Sequence, residues 1–163
     1  MNYLQIEFTD PPSCAGSVYS KLKRKIKRRP LRKFVLDVLS FTGKDKWELS
    51  ILFCDDQFIH TLNKNYRNKD EATDVLTFAQ MDLETEFPTV SDRFNAGDVA
   101  ISLETLEKNS EYFNVSVNDE LKRLLVHGIL HLSGMDHANN DPDQEMLVYQ
   151  EKILAEFPQV MLI

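Results

Sequence analysis

The chain has 163 residues, room for one domain with a substantial core and too few for two. Apolar residues make up 42% and charged residues 28%, which excludes wholesale disorder. A net charge of −7 speaks against a generally polyanion-binding protein, but that average conceals one strongly basic block. The opening "MNYLQIEFTD" lacks a basic then apolar leader, and no apolar run reaches the ~18 residues of a membrane span, so a soluble cytoplasmic protein is expected. "YLQIEFT" alternates and is rich in strand formers, predicting a first strand that "DPPS" interrupts. Ser17 is the expected cap of a basic helix, with Pro30 either ending it or restarting it as the first turn of "PLRKFVLDVLSF". Within this stretch "KLKRKIKRRPLRK", residues 21–33, holds nine Lys and Arg and no acid, leaving ten positive charges against twenty-six negative elsewhere. It can neutralise phosphates or be the solvated face of a helix, and it identifies no substrate by itself.

"FTGKDK" reads as a loop and "WELSILFC" as a strand, followed by a helix "DQFIHTLNKNY" capped by Asp55 or Asp56, with Phe58, Leu62 and Tyr66 at near-helical spacing. "DVLTFA" and "GDVAIS" are two short strands separated by a polar, acidic stretch long enough to suggest a functional flap. A helix follows near "LETLEKN". "VSVNDELKRLLVHGILHL" is the clearest helix, with Asn118 as its expected cap, Leu121, Leu125, Gly128 and Leu132 along one face, and Gly134 as the left-handed residue ending it. Asp141 and Pro142 open a last helix running to about Phe157. The expected class is α+β, a small mixed sheet of about four strands with about five helices, in one domain over residues 1–163. Cys14 and Cys54 show no CxxC pairing and are expected as free, buried thiols.

"HGILHLSGMDH", residues 127–137, carries three of the four histidines. Residues four apart project from one side of a helix, so His127 and His131 can aim two imidazoles at one point. Beyond Gly134 the chain can reverse and bring His137 to the same point. Three imidazoles around an open fourth position describe a catalytic zinc site rather than a closed structural one. Zinc so held lowers the pKa of its water to about 7. His60 has no such company and is expected on a helix surface.

The intervals and the glycine agree with the metzincin pattern H-E-x-x-H-x-x-G-x-x-H, giving a metzincin-like metal-site helix, but Gly128 replaces the general-base Glu. Without a side chain, that position can neither take a proton nor return one to a leaving amine. Phosphodiester cleavage depends more on charge stabilisation, which a metal and an arginine supply, so weight shifts from peptidase toward phosphoryl or another ester transfer.

"HGILHLSGMDH" resembles the H-G-x-L-H-L-x-G-(Y/M)-D-H signature of the YbeY family, bacterial metal-dependent endoribonucleases of ribosomal RNA maturation. "LNKNYRNKDEATDVLTF", residues 62–78, is similar to the family block L-N-x-x-Y-R-x-K-D-x-x-T-D-V-L-S-F, and "GDVAIS" to its G-D-I-x-I-S strand. With "ELSILFCDDQFI" and the acidic final helix, the resemblance covers roughly residues 47–155. It implies a compact α+β fold, one zinc ion on His127, His131 and His137, and Arg67 over the cleft as a catalytic and substrate-binding residue. It also implies cleavage of single-stranded RNA in 16S 3′-end maturation and ribosome quality control, with precursor rRNA or ribosomal subunits as partners, no membrane, and room for protein partners in ribosome assembly. Met135 stands where the family more often has Tyr, and the stretch before residue 34 is less recognisable and more basic than the family pattern. Asp74 and Asp98 match family positions and are read as structural, each tying down neighbouring backbone N–H groups. Asp136 either orients a ligand histidine or holds the turn. Two other classes stay open: a metallopeptidase or other zinc hydrolase drawing a carboxylate from the acidic flap, and a non-catalytic ribosome-assembly factor.

Overall fold

The computed structural model describes residues 1–11, 16–80 and 92–163. Their order is β1 (Tyr3–Phe8), α1 (Val18–Lys25), α2 (Arg28–Phe41), β2 (Trp47–Cys54), α3 (Asp56–Arg67), β3 (Val75–Ala79), β4 (Phe94–Ser102), α4 (Leu103–Tyr112), α5 (Val117–Leu132) and α6 (Glu145–Glu156). This is the expected α+β arrangement, with six helices among the described residues rather than five. The extra helix comes from Pro30: its ring would collide with the Ile26 carbonyl in a continuous helix, so Ile26 turns extended and α2 starts afresh with Pro30 in its first turn.

The sheet order is β1-β2-β4-β3, with β1, β2 and β4 parallel and β3 antiparallel to β4. Successive strand residues point to opposite faces, which sorts the core in two. Leu49, Ile51 and Phe53 of β2 and Val99 and Ile101 of β4 join the main core beneath α5. Cys54, Leu76 and Ala100 face the other way and meet Ile59 of α3. Helix α3 therefore covers the face opposite α5. Opposite the Glu48–Leu49 step the β4 register slips at Ala96, and Gly97 there has φ +120°; a Cβ would fall 2.0 Å from the Phe78 carbonyl oxygen.

Several local expectations are corrected. Ser116, not Asn118, caps α5, accepting the Asp119 amide at 3.0 Å. Asn118 is buried and holds the C-terminal tail instead, donating to the Val160 carbonyl at 2.9 Å and accepting the Leu162 amide at 2.7 Å. Helix α6 begins at Glu145 because Asp141 is spent on a turn, its carbonyl accepting the Gln144 amide at 3.0 Å. On α3 the buried positions are Ile59 and Asn63, while Phe58 and Tyr66 are exposed. Asp55 is its cap, and Asp56 accepts from Ser102, Thr105 and Lys108. Cys54 is free and buried, its thiol pushed up to about 12, mainly by desolvation; Cys14 lies outside the described residues, as do residues 81–91 of the stretch expected as a flap, whose last residues from Phe94 belong to β4. Among the described residues no helix is long and apolar enough to cross a membrane.

Candidate metal centre

His127 and His131 lie one turn apart near the C-terminal end of α5, a helix buried nearly all round. The helix ends at Leu132, and Gly134 takes φ +83°, reversing the chain so that His137 returns to the same point. One ring nitrogen from each of the three histidines lies within 4.8 Å of the others, and no carboxylate joins the group among the described residues. The Nε2 atoms of His127 and His131 are 3.0 Å apart.

The outer nitrogens explain why the inner ones converge. The Nδ1 atoms of His127, His131 and His137 lie 2.9, 3.1 and 2.8 Å from the Gln150 side-chain oxygen, the Met135 carbonyl and the Asn139 carbonyl. Each of those partners is an oxygen acceptor, so each Nδ1 carries the hydrogen and each Nε2 presents a lone pair to the centre. Lone pairs facing one another repel, and a cation between them removes the repulsion. Zinc at its usual bond length would set two tetrahedral nitrogens about 3.3 Å apart, close to the spacing found here. Burial pushes the His127 imidazole down to about 4, and the charges on His131, Arg123 and His137 add to it. His131 is lowered as well, first by burial, with His137 and Arg67 contributing. Neutral imidazole is the form that ligates metal. The donor set fits one metal ion.

Gly128 sits on the sheet. A Cβ there would come within 2.7 Å of Val99 Cγ1, while Thr77 Cγ2 at 3.6 Å would be in ordinary contact, so it is Val99 of β4 that leaves no room for a side chain at the metzincin base position. Arg67 reaches the same place from the other face: the last residue of α3, it is exposed, and its Nη2 donates to the Thr77 carbonyl at 2.7 Å. β3 is an edge strand, which leaves that carbonyl available. The guanidinium also lies over the Phe78 ring at 5.9 Å. Thr77 thus lies between the two, its methyl group facing the bare Cα of Gly128 and its backbone carbonyl accepting from Arg67.

The model of the Endoribonuclease YbeY family matches residues 18–158. The chain belongs to this family. Among its relatives, the Endoribonuclease YbeY of Treponema denticola is 47% identical over 158 residues, 96% of this chain and 94% of that protein. That of Treponema pallidum is 50% identical over 133 residues, 78% of this chain and 79% of the other. The solution structure of a Thermotoga maritima protein superposes with a TM-score of 0.52 at 25% identity, covering 95% of this chain and 91% of that one. The YbeY match begins at α1, so it takes in the whole basic block, beyond the span of the quoted motifs.

Asp74 accepts the Val75 amide at 2.8 Å, as expected, and also faces Asn109 and Arg123. Asp98 instead takes the Ser50 hydroxyl across the β2–β4 pair. Asp136 accepts the His137 amide at 2.8 Å and stays 3.8 Å from His131 Nδ1, so it holds the turn. His60 lies on α3 against Asp70 at 2.7 Å, away from the trio. Gln150 went unrecognised in the sequence. Its signal was a polar residue in the buried α6 stripe Met146, Gln150, Ile153, where an apolar one belongs.

Proposed function

We propose that this YbeY-family chain, one domain over residues 1–163, is a cytoplasmic zinc-dependent endoribonuclease that cleaves single-stranded RNA, with precursor ribosomal RNA as its target. The observation that carries this reading is the trio of Nε2 lone pairs turned inward by oxygen partners on Nδ1, with no carboxylate among them in the described residues. His127, His131 and His137 hold the ion. When bound, zinc supplies an activated water and polarises a phosphoryl oxygen.

The chain's own residues do the rest. Arg67 spends one N–H on Thr77, which aims the guanidinium, and keeps further donors for a phosphate, where a planar fork stabilises developing negative charge. Gly128 leaves position 128 without a proton carrier, which disfavours expulsion of an amine and suits a phosphodiester.

The test is the purified protein, as isolated and metal-stripped, beside Arg67→Ala, offered structured RNA with single-stranded ends and, separately, casein. RNA cleavage lost on stripping, restored by zinc and strongly reduced in Arg67→Ala is expected. Cleavage indifferent to chelation and to Arg67→Ala refutes the reading. Metal-dependent proteolysis would favour a peptidase, and retained metal with no turnover an assembly factor.

A further inference from the structure

The basic block folds around a corner. α1 ends at Lys25, Ile26 inserts into the core, and α2 starts at Arg28. Leu22, Leu31, Phe34 and Val35 take the other inward positions, so the cations face outward. Of the nine, Lys23 pairs with Asp10 and Lys33 with Asp37. Arg28 turns onto the Ile6 carbonyl at 3.2 Å and the Phe8 ring at 4.8 Å. Lys21, Arg24, Lys25, Arg29 and Arg32 are exposed and have no carboxylate partner among the described residues.

Two features separate this corner from an ordinary solvated face. First, α2 has no acid in its first turn, Arg28 and Arg29 stand at its start, and Lys27 makes no side-chain capping bond. Cations at the positive end of a helix oppose its dipole, and a bound anion would remove the penalty. Second, no large apolar side chain is exposed between residues 16 and 33. Protein–protein contacts depend on aromatic and aliphatic anchors, which this surface lacks. A phosphate backbone needs only cations, and guanidinium forks suit it well.

We propose that the α1–α2 corner is a second RNA-contacting surface, gripping the phosphates of a strand outside the histidine cleft. The corner lies by β1 and the cleft by β3, at opposite edges of the sheet, which spans roughly 14 Å between its outer strands. An RNA that reaches both is long or structured. That the polyanion is RNA rests on the nuclease reading above; the charge placement does not.

The experiment is fluorescence anisotropy with a long labelled single-stranded RNA, checked for integrity afterwards, across a salt series. Wild type is compared with Arg24→Gln, Lys25→Gln, Arg29→Gln and Arg32→Gln combined. Affinity is expected to fall at least about tenfold at physiological salt, and the slope of log K against log salt to shrink by about 3. The thermal midpoint should hold or rise, since Arg29 leaves the positive end of α2. If the combined variant melts early, Arg29→Gln alone decides, with an expected slope change of about 0.7. Unchanged affinity and slope overturn the proposal. Poly-L-glutamate bound as tightly as RNA overturns it in favour of an acidic polypeptide. Wild type that binds but never cuts RNA would sink the nuclease reading and leave this one to the binding data.

Discussion

Gly128 lies directly over Val99, where a Cβ would approach Cγ1 to 2.7 Å. The helix that carries two of the three histidines is thereby seated against the sheet at a distance only glycine permits. Gly128→Ala must push α5 off β4 or displace Val99, at a cost of about 1–3 kcal/mol. Urea melts would show this, and metal retention should weaken in parallel because His127 and His131 move with the helix. Gly128→Glu should unfold or strip the protein rather than produce a peptidase; a well-folded Gly128→Glu that cleaves casein would contradict the account.

Gln150 fixes His127 from the far side of the ring at 2.9 Å. Gln150→Leu keeps the bulk and removes the acceptor, so zinc affinity should fall about 10–100-fold in chelator competition. Gln150→Glu, which keeps an acceptor at the same reach, should retain it. Equal affinity in all three proteins would mean that the α5 backbone alone orients the ring.

Arg67 donates one N–H to the Thr77 carbonyl, and in the proposed mechanism its remaining donors meet the phosphate. Arg67→Lys preserves the charge, but a single ammonium cannot hold Thr77 and also present a planar fork. Cleavage efficiency should drop about 10²-fold with bound zinc unchanged. Full activity in Arg67→Lys would reduce the role to a bare positive charge.

Asp56 binds α3 to the start of α4 through Ser102, Thr105 and Lys108. Burial works to raise its pKa, but those hydrogen bonds and the Lys108 charge outweigh burial and hold it below the ordinary carboxyl range. A depressed carboxyl contributes stability above its unfolded value of about 3.9, and that contribution disappears as pH falls through the lower folded value. Asp56→Asn should therefore cost about 1–2 kcal/mol at neutral pH, and the gap from wild type should close in acid. Denaturation curves at several pH values test the sign; a gap that widens toward low pH would reverse it.

The strands at Tyr3–Phe8 and Trp47–Cys54 and the Gly134 reversal were legible because each depends on neighbours a few residues away, as was a cap of α3 at Asp55 or Asp56, between which the structure chooses the first. The cap of α5 was misplaced for a related reason. Ser116 and Asn118 are both good capping types, and only the C-terminal tail, docking from Val160 to Ile163, claims the second.

By itself the sequence determined the histidine pair at one helical turn, the reversal that returns a third, the outward cations of the basic block and the absence of a base at 128. These follow from local geometry and side-chain chemistry. Only the tertiary structure decided why 128 is glycine, that Arg67 is tied to the Thr77 carbonyl at the β3 edge, and that Gln150 meets His127 on the outer side of its ring. Each of those joins separate elements of the fold, and their meeting is settled by which faces the sheet and helices bury together.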